Sequence, residues 1–123
     1  MVIFMDSKER RTHPRLRAYH PMRLHHQGTT RIVETLTKDL SLGGIRCLSP
    51  TAAPVAVEFD LELVLASGEP PLAVRGRTAW VRTIPSSEQF DLGITFLPLS
   101  AQHARRLSTC LERLASRPAR ILA

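Results

Sequence analysis

The clearest pattern in the chain is a strict alternation near its middle. Val55, Val57, Phe59, Leu61, Leu63 and Leu65 fall on one side, and Glu58, Asp60 and Glu62 fall on the other. A period of two is that of a β-strand with one buried face and does not fit a helix. Other segments repeat it. Leu16, Ala18, Met22 and Leu24 alternate with Arg15, Arg17 and Arg23, and Pro21 within that run suggests an edge or a bulge. Thr29 to Leu40 is rich in β-branched residues and is predicted to form a hairpin with the preceding strand across Gln27-Gly28. Gly43-Gly44 breaks the pattern and Ile45 to Leu48 restarts it. Residues 49–54 contain Ser, Thr and two prolines and read as a loop. Ser67-Gly68 and Pro70-Pro71 mark a turn, Leu72 to Ile84 a further strand, Pro85 to Gln89 a loop, and Phe90, Leu92, Ile94 and Phe96 the last strand.

After Pro98 the period changes. Ala104, Leu107, Leu111 and Leu114 recur at helical spacing, with Arg105, Arg106 and Arg113 on other faces. Ser100 suits the helix N-cap, and Pro118 is placed beyond the helix end. About six short strands followed by one helix predict an all-β barrel or sandwich with a helical lid. Residues 1–15 show no apolar periodicity and are read as a flexible, charged lead-in. Residues 16–115 form the barrel and helix, and 116–123 a tail.

Composition narrows the function classes. A chain of 123 residues with 43% hydrophobic and 23% charged residues is one globular domain with a modest core. Its apolar runs are too short to span a bilayer, and Asp6, Lys8 and Glu9 follow the apolar Met1–Met5 too closely for a signal peptide. The expected location is the cytoplasm, without membrane insertion. Cys47 and Cys110 have no zinc spacing and are read as small buried residues. The formal net charge of +6, carried almost wholly by arginine, favours an anionic partner and planar, bidentate contacts.

Catalysis finds no support in the residues. His25 and His26 are adjacent, so on a strand they face opposite ways, and His13, His20 and His103 have no ligand partner at a recognisable spacing. There is no GxSxG, no P-loop and no GxGxxG. The expectation is a binding protein, not an enzyme, with no metal and no cofactor.

Two groupings remain. Arg11 and Arg15 are four apart in the lead-in, where Pro14 disfavours a helix; in an extended segment they point the same way, about 13 Å apart. Two guanidiniums so placed can fold over a flat anion, pairing bidentately with phosphate or with O6 and N7 of guanine. The second is Asp39-Leu40-Ser41-Leu42-Gly43-Gly44. On a strand Asp39 and Ser41 share one face and Leu40 and Leu42 the other. Asp39 can accept hydrogen bonds from guanine N1 and N2 or hold an arginine, Ser41 can meet a phosphate or base edge, and Gly44 can let backbone approach a ligand or turn with positive φ. Each grouping alone also reads as an ordinary solvated arginine pair or an ordinary turn.

Together, RxxxR followed by DxSxxG at a strand end resembles the PilZ domain family. The likeness continues through Gly76-Arg77-Thr78-Ala79-Trp80-Val81 and Leu92-Gly93-Ile94-Thr95-Phe96 and covers residues 9–115. It implies a six-stranded antiparallel β-barrel with a C-terminal α-helix that binds cyclic di-GMP without transforming it. By resemblance, Arg11 and Arg15 grip guanine and phosphate, Asp39 and Ser41 contact the other guanine, and Gly43 and Gly44 belong to the same site, with Gly44 giving steric room. An arginine at the position of Arg10 goes, in the family, with two stacked, intercalated ligand molecules. The lead-in is expected to wrap the ligand as it binds, and a downstream protein in motility, pilus or exopolysaccharide control to read the new surface. Two other readings stand beside this one: a member that keeps the barrel only to bind protein, and a basic barrel binding single-stranded nucleic acid. The few aromatic residues argue against the latter.

Overall fold

The computed structural model describes residues 16–116. Among the described residues seven antiparallel strands precede one helix: β1 (Leu16–Arg17), β2 (Pro21–His26), β3 (Ile32–Leu40), β4 (Gly44–Ser49), β5 (Glu58–Leu63), β6 (Leu72–Thr83), β7 (Phe90–Phe96) and α1 (Ala101–Ala115). The sheet runs β1-β3-β2-β5-β6-β7-β4, and pairing of β3 with β4 closes it. The closed ring has six strands, as the sequence predicts, and β1 is a short addition on β3. Closure leaves the main-chain groups of the six strands few open edges.

The inward residues of each strand fill the barrel. Met22, Leu24, Leu40, Cys47, Leu61, Leu63, Leu72 and Leu92 are almost wholly buried. Leu107 and Cys110 of α1 join the same core, with Leu111 and Leu114 packed against it. Ser100 caps α1 by accepting a hydrogen bond from the His103 amide, 3.0 Å. The helix thus closes the barrel with the face its sequence predicts.

Three expectations are corrected. Leu16 to Leu24 is not one strand but two, because the chain is interrupted between Arg17 and Pro21. The interruption is held from across the sheet: the buried Thr37 hydroxyl donates to the Ala18 carbonyl and accepts from the His20 amide, 2.8 Å. Pro21, which lacks an amide proton, opens β2 instead of disrupting it. Val55 does not join the core face of β5. It is exposed, because Ala56 takes a positive φ of 76° and the strand begins only at Glu58. Ser49, read as loop, ends β4.

The buried Thr37 hydroxyl satisfies two main-chain groups at once. Thr37→Val, which keeps the shape and removes the hydroxyl, is expected to destabilise the protein by about 1–3 kcal/mol. A urea melt of the variant checks this; an unchanged midpoint would show that the interruption holds without the hydroxyl.

Candidate functional site

Asp39, Ser41, Gly43 and Gly44 lie together where β3 turns into β4. β3 ends at Leu40, so Ser41 stands in the turn and not on the strand that would have set it beside Asp39. Leu40 is fully buried and Leu42 packs on the core, anchoring the turn at both apolar positions. The turn is tight: the Ser41 amide donates to the Gly44 carbonyl, 2.9 Å, and the Ser41 hydroxyl accepts from the Gly43 and Gly44 amides, 3.0 and 3.2 Å. This is a serine turn in which the hydroxyl satisfies the main chain. Gly44 has no positive φ; the positive-φ glycines of the described residues are Gly28 and Gly68. What requires a glycine at 44 is packing. A Cβ there would meet the Ile94 carbonyl oxygen at 2.1 Å. Arg10, Arg11 and Arg15 lie outside the described residues.

The turn borders an outward face that four strands build in register. Asp39 of β3 pairs with Arg46 of β4, Arg46 with Gly93 of β7, and Gly93 with Trp80 of β6. The next row along brings Asp91 of β7 opposite Arg82 of β6. Side chains join the rows. Arg46 Nε lies 3.1 Å from Asp39 and its Nη1 3.6 Å from Asp91, while Arg82 Nη2 reaches Asp91 at 3.3 Å. The Arg82 guanidinium lies over the Trp80 ring, 5.1 Å from its centroid. Gly93 makes room for the indole, because a Cβ at that position would stand 2.1 Å from Trp80 Nε1. Asp39 and Asp91 are mostly buried (side chains 16% and 8% exposed), and the arginines that face them take the place of the water that burial removes.

Asp39 therefore holds an arginine, one of the two roles its sequence position allows. Arg46, Asp91, Arg82 and Trp80 were not singled out from the sequence. Alternation from Leu72 through Thr78 would turn Trp80 and Arg82 inward; a register shift between Thr78 and Trp80 turns them outward, and only the register aligns the four residues with Asp39.

The chemistry this face offers is recognition. A half-buried indole and two guanidiniums provide stacking surface and planar donors, and the two mostly buried carboxylates hold those guanidiniums in place. The neighbouring thiol is not a nucleophile. Burial, with the negative charge of Asp91 added, pushes Cys47 from 9.0 up to about 12. Because the folded value is raised, the stability this group contributes is constant below pH 9 and is lost as pH rises from 9 towards 12. Cys47 is expected to resist alkylation by iodoacetamide at pH 8 in the native protein and to react in urea; rapid native labelling, located by mass spectrometry, would contradict this. Among the described residues no group of His, Cys, Asp and Glu is placed to hold a metal ion. No described helix is long and apolar enough to cross a membrane.

Comparison with known proteins places this fold. No curated protein sequence matches the chain. Among solved structures, the inhibitor of motility MotI/DgrA of Bacillus subtilis superposes with a TM-score of 0.72 at 19% identity, over 88% of this chain and 53% of that one. The PilZ domain of YcgR from Escherichia coli, solved with c-di-GMP, gives a TM-score of 0.70 at 20% identity, over 86% and 92%. A tetrameric PilZ protein of Xanthomonas campestris, self-assembled through a helical bundle, gives 0.56 at 25% identity, over 72% and 49%. The chain spans about half the length of the MotI/DgrA and Xanthomonas chains it matches. At these identities the likeness is one of fold. The sequence profile of the PilZ domain, however, matches residues 9–113, and the described part of that range, from residue 16, folds as the barrel closed by β3 and β4 with its serine turn between them: the chain belongs to the PilZ domain family.

Proposed function

We propose that this protein is a receptor for cyclic di-GMP, that it binds the nucleotide on the outer face bordered by Asp39 and the Ser41–Gly44 turn, and that it passes the signal to a partner protein without catalysing a reaction. The observation that carries the reading is the convergence of the DxSxxG turn with the aromatic and arginine-bearing rows of β4, β6 and β7. Charge balance gives the arginines of the lead-in their part. Asp39 and Asp91 face Arg46 and Arg82, two negative groups against two positive. That face alone offers no net attraction to a dianionic nucleotide. Arg10, Arg11 and Arg15 supply it, Arg11 and Arg15 by bidentate pairing with guanine and phosphate, and Arg10 by favouring a second, intercalated molecule. Solved relatives point the same way: the YcgR PilZ domain and MrkH of K. pneumonia were each determined with c-di-GMP. The place of action proposed is the cytoplasm.

A specific observation favours a second reading. The Ser41 hydroxyl is engaged by its own turn and Asp39 by Arg46, so the motif can serve the barrel alone, in a member that binds only protein. Amide shifts of labelled protein titrated with cyclic di-GMP separate the two. The receptor reading expects saturable shifts centred on Asp39–Gly44, Arg46 and the Trp80 indole N–H. An unchanged spectrum from folded protein would favour the protein-binding reading.

A further inference from the structure

We infer that the groove between α1 and the β5–β6 loop docks a short acidic segment of a partner protein. The groove encloses about 430 Å³ and is lined by Glu69 and Pro70 of the loop and by Arg105, Arg106, Thr109 and Arg113 of the helix. Helical spacing makes the stripe: residues three and four apart share a face, so Arg105, Thr109 and Arg113 rise in line, opposite the apolar residues that hold α1 to the barrel.

The charges of this stripe are not compensated as those of β2, β4 and β6 are. Every arginine of β2, β4 and β6 sits in an ion pair: Arg23, Arg46, Arg75, Arg77 and Arg82 each face a carboxylate. In the groove only Arg106 does, 3.6 Å from Glu69, and the same guanidinium donates to the Pro70 carbonyl. That fixes the groove's wall. Arg105 and Arg113 are exposed and make no ion pair among the described residues. They are eight residues apart, about 12 Å along a helix. In an extended peptide, carboxylates four residues apart stand at about 13 Å on one side. The spacing therefore fits two carboxylates of one extended segment, each meeting a guanidinium in the bidentate geometry arginine prefers.

Charge distribution selects protein over nucleic acid. Residues 16–116 hold eleven Lys and Arg against nine Asp and Glu, +2 of the chain's +6, so on the barrel and helix the basic groove is a local feature. A duplex engages phosphates along an extended basic track, whereas a short acidic segment needs only the groove. The inference gives the receptor reading the chemistry of its partner, and rests on that reading only for the partner being a protein.

The test titrates the full chain with a fluorescein-labelled peptide carrying two pairs of glutamates four residues apart in a Gly-Ser background. It is run with and without cyclic di-GMP, in about 0.15 M salt to suppress diffuse attraction. Saturable binding is expected, absent for the glutamine version of the peptide and weakened about tenfold or more by Arg105→Glu with Arg113→Glu. Both side chains are exposed, so the double variant is expected to keep the native melting temperature and nucleotide affinity. Equal binding of the glutamine peptide, full binding by the double variant, or binding of duplex DNA or phosphatidylglycerol vesicles but not of the peptide would each overturn the inference. So would no binding at all. If the native protein binds the nucleotide but not the peptide, only this inference falls; if it binds the peptide but not the nucleotide, only the receptor reading does.

Discussion

Gly44→Ala is expected to destabilise the barrel by about 3 kcal/mol or more, lowering the melting temperature by more than about 10 °C. The added methyl would stand 2.1 Å from the Ile94 carbonyl oxygen and 3.1 Å from the Ile94 carbonyl carbon and Thr95 Cα. All three are main chain, so no side-chain rotation relieves the contact. Relief requires β4 and β7 to separate at their first paired residues, Gly44 and Thr95. The same shift would strain the serine turn, since Gly44 is also its last member. Thermal and urea melts of the variant measure the effect. A native-like midpoint would mean that β4 and β7 stand further apart than described. Lost nucleotide binding in a Gly44 variant would report a damaged seam before it reported a missing ligand contact, so the glycine is a poor probe of the site.

The arginines are the better probe. Arg11→Ala and Arg15→Ala are each expected to weaken cyclic di-GMP binding by about 10- to 150-fold, the loss of a charge-assisted contact worth about 1.5–3 kcal/mol. The expected size follows from the balance of the outer face. With Asp39 and Asp91 matched by Arg46 and Arg82, little remains on the barrel to replace a missing guanidinium. Neither substitution should move the melting temperature, because both residues belong to the charged lead-in, which shows no apolar periodicity. Unchanged affinity in both variants, with an unchanged melt, would remove the lead-in arginines from the site. A collapsed melt would assign them to the fold.

How much of this is legible in the sequence follows from the distance over which each feature is decided. β5, β7 and α1 are decided locally, by periods of two and of 3.6, and their buried faces are the predicted ones. The break between β1 and β2 is not local: Pro21 hints at it, but the hydroxyl that holds it belongs to Thr37, on a different strand. Val55 continues the alternation in sequence and leaves it in space, because the turn at Ala56 precedes the strand. At the candidate site the turn residues could be named, and their job could not. Ser41 has the composition of a ligand contact and the hydrogen bonds of a turn. Gly44 looks like room for a ligand, and its need for a glycine comes from Ile94 on another strand. The Asp39–Arg46–Asp91–Arg82 chain required register, which no single strand's pattern contains.

Calorimetric titration with cyclic di-GMP, run beside Arg15→Ala and a GTP control, decides whether the protein is a receptor. Micromolar or tighter binding by the native chain is expected, with a stoichiometry near two if Arg10 has the role proposed for it, strong weakening in the variant and no heat from GTP. No heat from well-folded native protein, or binding that Arg15→Ala leaves intact, would contradict this expectation.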